Sequence, residues 1–91
     1  MTDKPIRWLQ HARKNLAERE IEESEVLQTL SEPEFSESLH SGRKILMRFY
    51  ADKVLHQRML LRVVVDETPA ETVIVTIYRT SRSSRYIKEK S

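Results

Sequence analysis

The chain has 91 residues, no cysteine and a formal net charge of +2. A chain of this length forms one domain with a small core, and the absence of cysteine excludes disulfides, thiolate catalysis and cysteine-ligated metals. No apolar run is long enough for a membrane helix, and the N-terminus lacks the apolar stretch of a signal peptide. We therefore expect a cytoplasmic protein.

Charge is segregated along the chain. Acidic residues concentrate between residues 18 and 37, and basic residues between 40 and 65 and again between 79 and 91. Basic strands and a basic tail suggest a polyanionic partner, of which RNA and DNA are the commonest. The alternative is that ion pairs between acidic helices and basic strands neutralise much of this charge.

Two helices are predicted at the start of the chain. The first covers residues 5–19, with Pro5 in its first turn and apolar residues at helical spacing. The second covers residues 22–31, has glutamates in its first turn, and ends before Pro33. Together they form a helical hairpin.

One stripe of the first helix carries polar side chains. His11, Asn15 and Arg19 are spaced at i, i+4 and i+8, which places them on the same side of a helix. His11 is a candidate for proton transfer, and an ordinary surface or capping histidine is the alternative. Arg19 is a candidate phosphate ligand, although an ion pair with a glutamate of the second helix explains it equally well.

Four strands are predicted after the helices, at residues 35–39, 43–50, 54–66 and 72–79. The last three runs alternate with period two, and the first is a short run that fits an edge strand. The expected fold is α+β, with the order ααββββ. The helical hairpin packs on one face of a four-stranded antiparallel sheet and leaves the other face open. We expect this domain to cover residues 1–80, followed by a basic, flexible tail at 81–91.

Alternate residues of the last strand form two sets, one apolar and the other largely polar. Val73, Val75 and Ile77 would face the core, whereas the other parity includes Thr76 and Tyr78. Arg62 lies on the same polar face if its register matches. This face is predicted to bind, or act on, something anionic.

The residue types suit RNA cleavage without a metal. Such cleavage needs a base for the 2′-hydroxyl, cations for the crowded phosphate and an acid for the departing 5′-oxygen. Histidine transfers protons near neutral pH, arginine grips phosphate, and tyrosine donates a proton or stacks on a base. Neither a metal-ligand cluster nor a phosphate-binding loop is present in the sequence, and no cofactor is predicted. For each arginine a solvated surface position, and for Tyr78 a half-buried sheet position, is the structural alternative.

Several short motifs resemble a small bacterial family of domains of unknown function. The family places a His-Ala at the start of a helix, an Arg-Gly-Ile corner, a helix that ends at a proline, and a valine-rich final strand with a threonine and an aromatic residue. The corresponding segments here are His11-Ala12-Arg13, Glu18-Arg19-Glu20-Ile21, Val26 and Leu30 before Pro33-Glu34, Arg43, Arg62 to Asp66, and Val73 to Tyr78. Glu20 stands where the family has the corner glycine.

That family is similar to the RelE-type and BrnT-type toxins, which share a compact ribonuclease fold with barnase, EndoU and colicin-type nucleases. The resemblance implies a metal-independent endoribonuclease that acts on mRNA, with a protein antitoxin as partner. A partly acidic antitoxin chain is expected to mask the cationic face. The catalytic candidates are His11, Arg19, Arg48, Arg62 and Tyr78, and the RNA-binding candidates are Arg43, Lys44, Arg58, Thr76 and Arg79. A non-catalytic module that binds nucleic acid or protein is the alternative function.

Overall fold

The computed structural model describes residues 4–82, which fold into two helices and five strands. The five strands form one sheet in the order β1-β5-β4-β3-β2. The pair β1–β5 is parallel and the other neighbours are antiparallel. The bounds of the elements are β1 Ile6–Trp8, α1 Gln10–Arg19, α2 Glu23–Ser31, β2 Phe35–Ser38, β3 Arg43–Asp52, β4 Gln57–Glu67 and β5 Thr72–Thr80.

The α+β class and the helical hairpin are therefore as predicted, whereas the four-stranded antiparallel sheet is wrong. The sheet is mixed because the segment before α1 is a strand and not the first turn of a helix. The amide of Thr72 donates to the carbonyl of Pro5 at 3.0 Å, and the amide of Leu9 donates to the carbonyl of Ile74 at 3.1 Å. A three-residue strand has no periodicity of its own, and its pairing partner lies at the far end of the domain.

The turn between β3 and β4 takes four residues. The carboxylate of Asp52 accepts hydrogen bonds from the amides of Val54 and Leu55, at 3.0 and 2.9 Å. His56 then adopts a left-handed conformation with φ 55°. Because this turn extends to residue 56, β4 begins at Gln57 and not at the predicted residue 54.

A bulge interrupts the pairing of β4 with β5. Val65 lies opposite Ile74 and Val64 lies opposite Thr76, so that Val75 has no partner on β4. An extra residue reverses the parity of a strand on either side of the bulge. Ile74 and Ile77 are consequently both fully buried beneath the helices. The prediction that Val75 and Ile77 share a core parity is wrong.

The helices pack on one face of the sheet. Ala12 of α1 and Val26 of α2 are fully buried against it, as are Leu61, Val63 and Val65 of β4. These residues and their neighbours form the helix-side core. Neither helix within residues 4–82 is long and apolar enough to cross a membrane.

The opposite face of the sheet, which we call the second face, is largely apolar near its centre. Met47 of β3 and Leu60 of β4 lie there, with exposed fractions of 3% and 0%. Since β4 carries apolar residues at both parities, both faces of the sheet are apolar at this strand. The expectation of a polar, open second face is therefore wrong over the central strands.

Candidate functional site

α1 lies along β5 and is joined to it by a buried amide. The Oδ1 atom of Asn15 accepts one hydrogen bond from the hydroxyl of Thr76, at 2.7 Å, and another from the amide of Ile77, at 3.1 Å. Both donors follow directly after the bulge. β1 pairs only with the first three residues of β5, so the side chain of Asn15 satisfies an edge amide that no strand reaches.

His11 and Arg19 flank Asn15 on the same helical stripe. His11 is exposed in the first turn of α1, and Arg19 is partly exposed at its last residue. With a rise of 1.5 Å per residue, the two lie about 12 Å apart along the helix axis. The structure thus places an imidazole and a guanidinium on one stripe beside the outer edge of β5. We call His11, Asn15 and Arg19 the α1 stripe.

A network of polar side chains holds the C-terminal end of α1. The guanidinium of Arg79 donates to the carbonyl oxygen of Arg19, and its Nη1 lies 3.4 Å from the carboxylate of Asp52. The hydroxyl of Tyr50 donates to the same carboxylate at 2.6 Å. A cation at the C-terminus of a helix also complements the helix dipole. The predicted RNA-binding residue Arg79 is therefore engaged in a structural contact.

Both acidic groups of this network have shifted pKa values. Burial raises the pKa of Tyr50, and its hydrogen bond to ionised Asp52 raises it further. For Asp52, burial alone would raise the pKa. The hydrogen bonds from Tyr50 and from the amide of Leu55, together with the charge of Arg79, outweigh burial and bring the pKa below its usual value. Asp52 therefore stays ionised at neutral pH.

Two of the predicted catalytic residues meet on the second face. Arg62 and Tyr78 lie opposite each other on β4 and β5, and the guanidinium carbon of Arg62 is 5.0 Å from the centre of the Tyr78 ring. Arg62 is only 4% exposed. The sequence-based expectation that these two share a face is confirmed.

Arg48 is on the other side of the sheet. It pairs with Leu61 of the helix-side core, and its Nη1 atom lies 3.9 Å from the carboxylate of Glu25 on α2. Arg48 and Arg62 thus point to opposite faces. The structure separates the five catalytic candidates into the α1 stripe, the Arg62–Tyr78 pair on the second face, and Arg48 beneath α2.

The predicted RNA-binding residues are also dispersed. Arg43 forms two hydrogen bonds with Asp66, at 2.7 and 2.9 Å, and Lys44 lies 3.9 Å from Glu67. The pKa of Asp66 is lowered, chiefly by the hydrogen bonds from Arg43. Arg58 differs, because it is exposed and forms no ion pair within the described part of the chain.

Ion pairs neutralise part of the segregated charge. Glutamates of α2 and of the loop before it meet basic residues of α1 and β3 and of the β3–β4 turn. The pairs are Arg13 with Glu23, Arg48 with Glu25, and Lys53 with Glu22, at 3.9, 3.9 and 3.6 Å. These are surface contacts of small energetic value. They nevertheless leave few unneutralised cations among residues 4–82, which limits the footprint available to a polyanion.

Sequence reasoning gave no role to three polar residues that organise the site. The sequence indicates Asn15 only as a member of the stripe, and Tyr50 only as the last residue of a predicted strand. The one available signal was Asp52 before a turn, since aspartate caps turns through its side chain. No group of His, Cys, Asp or Glu within residues 4–82 has the arrangement of a metal site.

Comparison with known proteins gives a family but no characterised relative. No curated protein and no solved structure matches the chain. The model of the domain of unknown function DUF4258 matches residues 8–79, from Trp8 at the end of β1 to Arg79 in β5. The matched segment includes both helices and all of the α1 stripe. The chain belongs to the DUF4258 family.

Proposed function

We propose that this domain is a metal-independent endoribonuclease of the toxin–antitoxin kind, and that RNA lies along the outer edge of β5 beside α1. The α1 stripe is the observation that carries the proposal. Asn15 fixes the stripe to β5 through Thr76 and Ile77, and Arg79 fixes the end of the helix. A catalytic side chain requires a backbone held rigidly in this way.

In the proposed reaction His11 removes the proton from a ribose 2′-hydroxyl. The 2′-oxygen then forms a bond to the adjacent phosphorus, and the bond from phosphorus to the 5′-oxygen breaks. His11 returns the proton to the departing 5′-oxygen, which leaves a 2′,3′-cyclic phosphate on one fragment and a 5′-hydroxyl on the other. Arg19, about 12 Å further along the helix, binds a neighbouring phosphate of the same strand.

Arg48, Arg62 and Tyr78 have no part in this form of the proposal, because they lie away from the α1 stripe. A single histidine then performs both proton transfers. General acid–base catalysis by one group contributes roughly 10²- to 10⁴-fold. We therefore expect slow cleavage in the absence of other factors such as the ribosome.

The direct test is incubation of purified protein with labelled RNA in EDTA, followed by analysis of the fragment ends. His11→Gln should abolish cleavage, and Arg19→Ala should weaken RNA binding. His40→Gln and Arg13→Ala are matched controls, because both residues are exposed and neither belongs to the α1 stripe. Intact RNA at high protein concentration would refute the proposal, as would fragments that are equally abundant with His11→Gln.

The toxin–antitoxin assignment needs a cellular test. Induced expression in a bacterial host should arrest growth, and His11→Gln should relieve the arrest at equal protein abundance. A short open reading frame next to this gene would encode the expected antitoxin. If the wild-type protein at high abundance leaves growth unchanged, the toxin assignment is wrong even if RNA is cleaved in vitro.

A non-catalytic module that binds nucleic acid is the second candidate, and one observation favours it. Arg48, Arg62 and Tyr78 do not converge with His11, so the described residues supply one proton-transferring group beside β5 and not two. This candidate predicts RNA binding that weakens with salt, because phosphate contacts release counterions, without any cleavage.

A further inference from the structure

A stack of aromatic and cationic side chains lies at the edge of the second face. The rings of Phe35 on β2 and Phe49 on β3 meet edge to face, with their centres 6.1 Å apart at 84°. The guanidinium carbon of Arg58 on β4 lies 3.9 Å from the centre of the Phe49 ring. Arg58 is exposed, whereas both phenylalanines are partly buried. We call these three residues the Phe49 platform.

The platform borders an accessible strand edge. β2 pairs only with residues Lys44 to Met47, so the outer edge of β3 beyond Met47 has no neighbouring strand among the described residues. A groove of about 630 Å³ follows this edge, and its charged lining consists of two guanidinium groups, Arg48 and Arg58, and two carboxylates, Glu32 and Glu34. The carboxylate of Glu34 accepts a hydrogen bond from the amide of Phe49 at 2.8 Å. This contact satisfies one edge donor and leaves the platform side of the groove open.

The chemistry of the platform suits a nucleobase. A planar guanidinium that lies over an aromatic ring presents a second flat, cationic surface to solvent. Unpaired bases stack on such surfaces in single-stranded RNA complexes, whatever the base. Arg58 has no carboxylate partner within residues 4–82, so stacking would not have to break an ion pair. Arg48 also lines this groove, where its guanidinium lies 3.9 Å from the carboxylate of Glu25.

We propose that the Phe49 platform is a stacking site for single-stranded RNA, with the base on the guanidinium of Arg58. The choice of RNA as the ligand rests on the proposed function, but the site shares no residue with the α1 stripe. The contact is expected to tolerate any base and to favour purines, because they offer the larger stacking surface.

The test is fluorescence anisotropy with a labelled ten-nucleotide oligoadenylate in EDTA at several salt concentrations. All proteins carry His11→Gln, so that the probe stays intact. Arg58→Ala should weaken binding about tenfold, within the range of one stacked base, and should reduce the dependence of log K on log salt by about 0.7, the value for one phosphate contact on a single strand.

Two further variants separate stacking from charge. Arg58→Lys keeps the charge but loses the planar group, so it should retain the salt dependence and still bind at least threefold more weakly. Arg13→Ala is the matched control. Arg13 also lies over an aromatic ring, Trp8, at 4.9 Å, but on α1. Its removal should change affinity by less than twofold.

Four outcomes would overturn the proposal. The first is an equal loss of RNA affinity in Arg58→Ala and Arg13→Ala, and the second is full RNA affinity in Arg58→Lys. The third is binding of inorganic polyphosphate of matched length as tightly as the oligonucleotide, and the fourth is tighter binding of an acidic peptide such as oligoglutamate. Failure here is distinguishable from failure of the proposed cleavage. RNA binding that Arg58→Ala leaves unchanged, together with cleavage by the wild-type protein, refutes only the stacking site, and Arg58-dependent binding of an RNA that wild-type protein leaves intact refutes only the nuclease.

Discussion

Replacement of Glu20 by glycine should stabilise the domain. Glu20 follows the last residue of α1 and has a left-handed backbone, with φ 53° and ψ 45°. Its amide donates to the carbonyl of Ala17, and the amide of Ile21 donates to the carbonyl of Leu16, which is the usual termination of a helix by a left-handed residue. Glycine is favoured at such a position because it has no Cβ.

The size of the effect follows from two opposing terms. A left-handed conformation costs a residue with a Cβ roughly 1–2 kcal/mol. Glycine recovers this energy but loses roughly 0.5–1 kcal/mol through the larger entropy of the unfolded chain. The expected net gain is about 0.5–1 kcal/mol. For a domain of this size, a gain of 1 kcal/mol raises Tm by about 4–8 °C.

Thermal and urea denaturation followed by circular dichroism would measure this gain. Glu20→Ala is the control, because it removes the same carboxylate from the end of α1 while it keeps the Cβ. Any benefit from loss of the charge therefore appears in both variants, and only Glu20→Gly should show the additional gain. If Glu20→Gly is no more stable than Glu20→Ala, backbone strain at this corner is not a significant term.

Three other substitutions test the contacts that hold the α1 stripe in place and the separation of Tyr78 from it. Asn15→Ala should cost roughly 1–3 kcal/mol in urea denaturation, because the buried amide of Ile77 loses its acceptor; exposed Lys14→Ala, as the control, should cost little. Asp52→Asn should flatten the acid side of the stability profile measured between pH 2 and 6. Since the pKa of folded Asp52 lies below its unfolded value, its ionisation stabilises the fold above the unfolded pKa of about 3.9 and is lost as pH falls through the folded pKa; an unchanged acid limb would contradict this. Tyr78→Phe should leave RNA cleavage within twofold of wild type, since Tyr78 lies on the second face, and loss of activity equal to that of His11→Gln would show that the two residues act together.

Local periodicity was sufficient for most elements. α2 extends over Glu23–Ser31, within one residue of its predicted bounds, because an acidic first turn and a following proline mark both ends. β3 and β5 are also close to their predicted ranges, since alternating β-branched and aromatic residues define them. β1 could not be predicted in this way. Its three residues are fixed by hydrogen bonds to β5, which no local pattern contains.

Side-chain directions depend on two features that the sequence does not reveal. The first is the bulge at Val75, which places Ile74 and Ile77 on the same face although they differ in parity. The second is the four-residue turn after Asp52, which sets the register of β3 against β4. This register pairs Arg48 with Leu61 and so directs Arg48 to the helix side. A turn of different length would have changed this register, and with it the residues of β4 that share a face with Arg48.

The sequence places Arg62 on the face of Tyr78 only if the register of β4 against β5 matches. The structure meets this condition, because beyond the bulge the strands again pair one residue to one. Their common face does not make them catalytic. Arg62 is buried, and its guanidinium lies over the Tyr78 ring, so its contacts are those of a side chain that helps to pack the second face. Sequence patterns alone do not distinguish a buried arginine from one that binds phosphate.

The placement of these residues divides the functional question into two parts. In the proposed reaction, proton transfer depends on His11 beside the outer edge of β5, whereas the Phe49 platform lies on β2, β3 and β4, on the face opposite the helices. Because the two sets have no side chain in common, substitution of one leaves the other intact, and RNA binding can persist in a chain that has lost its histidine. Membership of the family therefore does not by itself imply catalysis. If the proposed reaction is correct, the His11→Gln variant separates the two functions, because it should lose cleavage and keep RNA binding at the Phe49 platform.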